Sequence, residues 1–84
     1  MGLELVEMVI RAEEEFDISI SDEDALRIAT PRQFIDYLMS RPELCDRSRD
    51  AVAESVWQLA ESEIGINRKD FTEDSRFIQD MGAG

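Results

Sequence analysis

The side chains able to do chemistry in this 84-residue chain are almost all carboxylates: twenty Asp and Glu stand against nine Lys and Arg, with no histidine and one cysteine. Cys45 has no second cysteine for a disulfide and no histidine for a thiol enzyme or a metal centre. No base sits near a nucleophile and no glycine-rich loop opens a helix, so the chain is not expected to be an enzyme. The stretch "DISISDED" (17–24), with acids at 17, 22, 23 and 24, is superficially like a calcium loop. It lacks the sixth-position glycine and the terminal glutamate register of such a loop. Weak divalent binding that eases carboxylate repulsion is the reading there, and no metal site is expected.

What this many carboxylates can do is dock. A formal charge of −11 disfavours nucleic acid and anionic membrane surfaces and favours a basic partner. The acids are uneven: residues 1–40 carry ten acids and three bases, and residues 41–84 carry ten and six. The first part is therefore the expected docking face. No segment approaches the roughly 18 consecutive apolar residues of a membrane span, and no basic region leads an apolar run. The expected location is the cytoplasm.

The elements that must position these acids are helices. In "LELVEMVIRAEEEF" (3–16), Leu5, Val9, Ala12 and Phe16 fall at spacings of four, three and four, with Val6 and Ile10 widening the stripe. Glu4, Glu7, Arg11, Glu14 and Glu15 take the other side. Glu13, Glu14 and Glu15 crowd the C-terminal end, where the helix dipole disfavours negative charge, a local cost that hints at an external use. Ser21 is an N-cap for a short helix over about 22–28. Thr30 and Pro31 begin another over 31–40, with Phe34, Ile35, Leu38 and Met39 on its apolar side.

"RPELCDRSR" (41–49) has no period and reads as a connector. Val52, Val56, Leu59 and Ala60 mark a helix over 49–64, closed by Gly65 as a left-handed cap. The remaining segment reads as a loop with one turn near 73–78, pinned by Ile66, Phe71, Phe77, Ile78 and Met81. Phe16, Ile35, Val52, Leu59, Phe71 and Phe77 are the core candidates, and Trp57 is a partly buried packing residue. The fold class is all-α, in a single domain.

The stretch "LELVEMVIRAEEEFDISISDEDALRIATPRQFIDYL" resembles acyl carrier proteins, through its Leu-acid-x-Val-Glu-x-Val helix, its Glu-Glu-Glu-Phe-Asp end and its closing Ile-Asp-Tyr. Residues 50–84 resemble the other half of that family: a helix "DAVAESVWQLAESEIG", then a loop ending Phe77, Asp80, Met81, Gly82, Ala83, similar to the family's Phe-x-x-Asp-Leu-Gly-Ala. In the family that piece comes first. The resemblance thus implies an acyl-carrier-protein-like bundle of three longer helices and one short one, circularly permuted, with 1–40 matching the family's second half, 41–49 joining, and 50–84 matching its first half. A nine-residue connector reaches up to about 30 Å, enough to join two ends at one end of a bundle.

The family's Asp-Ser-Leu motif, whose serine carries 4'-phosphopantetheine, falls across the cut. Leu3 supplies its leucine and Gly2 takes the serine position. Without that hydroxyl the chain is not expected to carry the cofactor, so the resemblance implies a scaffold of fatty-acid or polyketide-type biosynthesis that stays apo. The partners implied are basic surfaces of synthases, reductases, acyltransferases and phosphopantetheinyl transferases. The docking residues carried over are Leu3, Glu4, Val6, Glu7, Ile10, Glu13 and Glu14, while Arg11 departs from the family's small or apolar residue there. A monomer is expected. The alternatives are an interaction module with no carrier role, a dimer that exchanges halves because the connector is tight, and a slice through tandem carrier domains.

Overall fold

The computed structural model describes residues 3–83. Four helices run in chain order: α1 (Leu3–Phe16), α2 (Asp22–Ala25), α3 (Pro31–Met39) and α4 (Arg49–Glu63), with short 3-10 helices at Pro42–Leu44 and Arg68–Asp70. No strand occurs among the described residues. α1 and α3 both pack against α4, and the whole has a radius of gyration of 11.6 Å. The all-α expectation of three longer helices and one short one holds.

Local signals set the helix starts. Ser21 Oγ accepts from the Asp24 N–H at 3.2 Å, Thr30 Oγ1 from Gln33 at 3.2 Å, and Ser48 Oγ from Ala51 at 3.1 Å. Each bond satisfies a first-turn N–H that the helix itself leaves unpaired. At Thr30 the exchange is reciprocal in spirit, because Gln33 Oε1 accepts the Ala29 N–H at 2.8 Å. Two ends use left-handed residues: Gly65 at φ 81° closes α4, and Asp17 at φ 53° follows α1. Asp tolerates that region better than most side-chain-bearing residues, at some cost.

The core is one cluster fed by all four α-helices, the first 3-10 turn and the last segment. Leu5, Met8, Val9, Ala12 and Phe16 come from α1; Phe34, Ile35 and Leu38 from α3; Val52, Val56 and Ala60 from α4; and Phe77, Met81 and Ala83 from the last segment. Phe34 and Phe77 meet edge to face with ring centroids 6.4 Å apart, the arrangement that brings a positive ring edge to a negative ring face. Of the expected core, Phe16, Ile35, Val52 and Phe77 are buried, while Leu59 and Phe71 pack against the cluster only partly covered, as Trp57 does.

Three departures have physical causes. Met8, not Val6 or Ile10, widens the buried stripe of α1: at 100° per residue Met8 turns toward Leu5 and Ala12, and Ile10 turns away. α2 ends at Ala25, short of the expected 28, because the Arg27 and Ile28 N–H groups bond to Asp24 and Ala25 in tighter three-residue steps. That step buries Ile28 and leaves Leu26 exposed. The connector has structure of its own: Pro42 opens a 3-10 turn that drives Leu44 into the core.

Candidate functional site

Leu3, Glu7, Ile10 and Glu14 recur at spacings of four, three and four, so they line one stripe of α1 directly opposite its buried face. All four are exposed, Leu3 at 68% and Ile10 at 47%. Apolar side chains standing in water between carboxylates are what a charged, partly apolar docking surface requires. Glu7 and Ile10 also border a shallow depression with Arg11 and Glu63, of about 190 Å³. Arg11 Nε lies 3.7 Å from Glu63, a loose pair joining α1 to α4.

The other expected docking residues sit differently. Val6 and Glu4 are half-buried at the flank of the stripe. One Glu4 oxygen is buried with no hydrogen-bond partner among the described residues. Glu13 is half-buried, and its Oε2 accepts the Ile20 N–H at 2.8 Å. That bond holds the 17–21 turn against the end of α1, so Glu13 has a structural task. Gly2, the expected place of the cofactor serine, lies outside the described residues.

Arginines hold the loops, several at spacings no local pattern reveals. Arg41 donates to the Ser19 carbonyl at 2.8 Å and to the Tyr37 hydroxyl at 2.7 Å, and Tyr37 donates to Asp24 at 3.0 Å. Desolvation is the main cause raising the Tyr37 phenol above its ordinary value. Arg68 bonds Glu54 at 2.8 Å and Glu61 at 2.9 Å, and those hydrogen bonds hold both carboxyls below their usual range. Arg32 bonds Asp74, and Arg49 bonds Glu73. Arg11, Arg32, Arg41, Arg49 and Arg68 thus pair with the protein's own acids, while Glu7 and Glu14 of α1 stand exposed outside those pairs.

A larger hollow than the one beside Arg11 lies elsewhere, between α1, the 25–33 stretch and the last segment. It measures about 590 Å³ and is lined by Leu5, Ala25, Leu26, Ile28, Ala29, Thr30, Gln33, Asp74, Arg76, Ile78 and Gln79. None of these is among the expected site residues; Ile78, expected to pin the last segment, is exposed at 44%, and Leu26 at 71%. Among the described residues no group of three or more potential metal-ligating side chains occurs, and no helix is long and apolar enough to cross a membrane.

Comparison with known proteins gives a partial likeness. The chain is 49% identical over 40 residues to an acyl carrier protein of Buchnera aphidicola subsp. Schizaphis graminum, a match covering 48% of this chain and 51% of that protein. It is 46% identical over 40 residues to an acyl carrier protein of Chlorobium phaeobacteroides, with the same coverage. Against acyl carrier protein 2 of Pseudomonas aeruginosa the identity is 58% over 37 residues, 44% of this chain and 47% of that one. The chain spans about half the length of the curated relatives it matches. No family model matches the chain, and no solved structure does.

Proposed function

We propose that the chain is an acyl-carrier-protein-like domain in circularly permuted order, which keeps the scaffold and partner-docking stripe of a carrier but does not load an acyl group. The observation that carries the reading is the α1 stripe, where exposed Leu3 and Ile10 alternate with Glu7 and Glu14 on a helix whose opposite face is wholly core. Charge on such a stripe speeds encounter with basic enzyme surfaces, and the apolar side chains complete the contact. Half-length identity to acyl carrier proteins is what a permuted order gives, since a collinear match follows only one half of the chain at a time.

The permutation draws support from the path of the last segment. Phe77, Met81 and Ala83 are buried in the same core as α1, and Ile78 lines one hollow with Leu5. The loop similar to the family's pre-serine stretch therefore lies beside the helix similar to the one the serine precedes. With Gly2 at the serine position there is no hydroxyl to attack the prosthetic phosphate, so neither holo-carrier chemistry nor catalysis by this chain is expected. Its cellular role is docking, in the cytoplasm, to synthases, acyltransferases or phosphopantetheinyl transferases.

Two measurements test the reading. Incubation with coenzyme A and a promiscuous phosphopantetheinyl transferase should leave the intact mass unchanged; a gain of one pantetheine arm overturns the unloaded state. Binding to an immobilised carrier-dependent synthase should weaken with salt and with Glu7→Arg. Insensitivity to both would favour an inert scaffold.

A further inference from the structure

We propose that Arg11 is a built-in competitor of the partner: it holds Glu63 loosely in the free chain, and docking replaces it there with a cationic side chain of the enzyme. The inference rests on the docking reading of α1 and adds how that face selects what it binds. Among the ion pairs of the described residues Arg11 stands apart. Arg32, Arg41, Arg49 and Arg68 each reach a carboxylate at 2.6–2.9 Å, whereas Arg11 comes no closer to one than 3.7 Å, beyond hydrogen-bond range. The acid is the covered member of that pair, with the Glu63 side chain 16% exposed and the Arg11 side chain 57%. Glu63 also ends α4, whose last turn has no base, so the helix dipole adds to the negative potential there. A largely covered carboxylate in that field is poorly served by a cation at 3.7 Å.

The surroundings of Arg11 select the sign of the incoming group. Glu7, Glu14 and Glu15 lie one turn from it on α1, and Glu63 faces it from α4. A partner carboxylate reaching for Arg11 would enter among four others. A partner Arg or Lys meets those same four acids and a single cation on an exposed, flexible stem. Arg11 has somewhere to go, since a swing along its own helix brings it to Glu7, Glu14 or Glu15. Giving up a loose, half-solvated pair costs little. The incoming side chain has room in the depression of about 190 Å³ bordered by Glu7, Ile10, Arg11 and Glu63, where its aliphatic stem can lie on Ile10 while its charge reaches Glu63. Glu63, on α4, thereby joins the docking face of α1.

The test is a cycle of variants of the full chain, each titrated against the same immobilised carrier-dependent synthase. Arg11→Gln should tighten binding by about two- to fivefold, and Arg11→Lys should leave it near the parent. Glu63→Gln should weaken binding by a similar factor and abolish the gain from Arg11→Gln, because the contested carboxylate is gone. Arg76→Gln controls for net charge: it removes one exposed cation from the wall of the other hollow, and its effect should be smaller than that of Arg11→Gln. Circular dichroism should show all four variants folded. In the parent, the Arg11 side-chain Nε–H signal should move on binding toward its position in free Glu63→Gln. Weaker binding by Arg11→Gln would mean that Arg11 grips a partner acid and would overturn the proposal. A gain no larger than that of Arg76→Gln, or one that survives in the Glu63→Gln background, would overturn it too. Those results leave the docking reading standing if Glu7→Arg still weakens binding, whereas indifference to Glu7→Arg would remove both.

Discussion

Glu73 and Arg49 meet at 2.6 Å across 24 residues of chain, and the same carboxylate lies 3.8 Å from Arg32 on another helix. Arg32 in turn holds Asp74 at 2.8 Å, while its backbone N–H donates to the Glu73 carbonyl at 2.9 Å. Two adjacent acids of an irregular segment thereby clamp the N-terminal ends of α3 and α4 together. The clamp is half solvated, so its worth is modest and falls with salt.

The pH dependence of that clamp has a definite sign. The hydrogen bond from Arg49 lowers the Glu73 carboxyl and the one from Arg32 lowers Asp74. Groups with folded values below their unfolded ones contribute stability above the unfolded value, about 4, and lose it as pH falls through the folded value. Self-repulsion of an acidic chain eases over the same range and works the other way, so the comparison must be with a variant. Glu73→Gln should lower Tm by about 2–5 °C at pH 7, and the gap to the parent should close toward pH 3. A gap that widened on acidification would rule the clamp out.

The last segment, though irregular, should behave as core. Phe77 is fully buried against Phe34, and its N–H donates to the Ala29 carbonyl at 2.9 Å. Phe77→Ala should cost about 3–5 kcal/mol by transfer and cavity terms, a large part of what an 84-residue domain possesses. Urea titration followed by Trp57 fluorescence should show the midpoint falling sharply or the cooperative transition disappearing. A loss under about 1 kcal/mol would mean the segment is dispensable.

Asp17 offers a stabilising change. It sits at φ 53° just past α1, where its charge also faces the negative end of the helix dipole. Asn keeps the tolerance for left-handed backbone and removes the charge, so Asp17→Asn should gain about 0.5 kcal/mol. Asp17→Val should lose roughly 1–2 kcal/mol, because a β-branched side chain fits that backbone poorly. Equal stabilities in the two variants would refute the strain.

What the sequence disclosed follows from the range of the forces involved. Caps at Ser21 and Thr30, the left-handed Gly65 and the stripe Leu5, Val9, Ala12, Phe16 are written within one helical turn, and all appear in the fold. Met8 and Ile10 exchanged places because hydrophobicity alone does not say which side of a helix meets a neighbour. The Arg32–Asp74 and Arg49–Glu73 pairs, 42 and 24 residues apart, have no local signature. The same holds for the hollow, whose walls come from three separated stretches. On α1 the acids Glu7 and Glu13 read alike, and only the turn that follows reveals that Glu13 is engaged by Ile20.

That distinction yields the sharpest test of the docking stripe. Glu13 caps the Ile20 N–H from a half-buried position, so Glu13→Ala should cost about 1–2 kcal/mol of stability, as loss of a charged acceptor does. Glu7 and Glu14 have no such bond among the described residues and are exposed, so Glu7→Ala and Glu14→Ala should stay within about 0.5 kcal/mol of the parent. For binding to a basic synthase surface the order should reverse. Glu7→Arg and Glu14→Arg should slow association and flatten its salt dependence, because rim charges act mainly on encounter, whereas Glu13→Ala should act chiefly through stability. Stopped-flow association at two ionic strengths, set beside urea midpoints for the same variants, separates the two roles. If Glu7 and Glu13 variants changed both quantities alike, the stripe of Leu3, Glu7, Ile10 and Glu14 would not be the docking face.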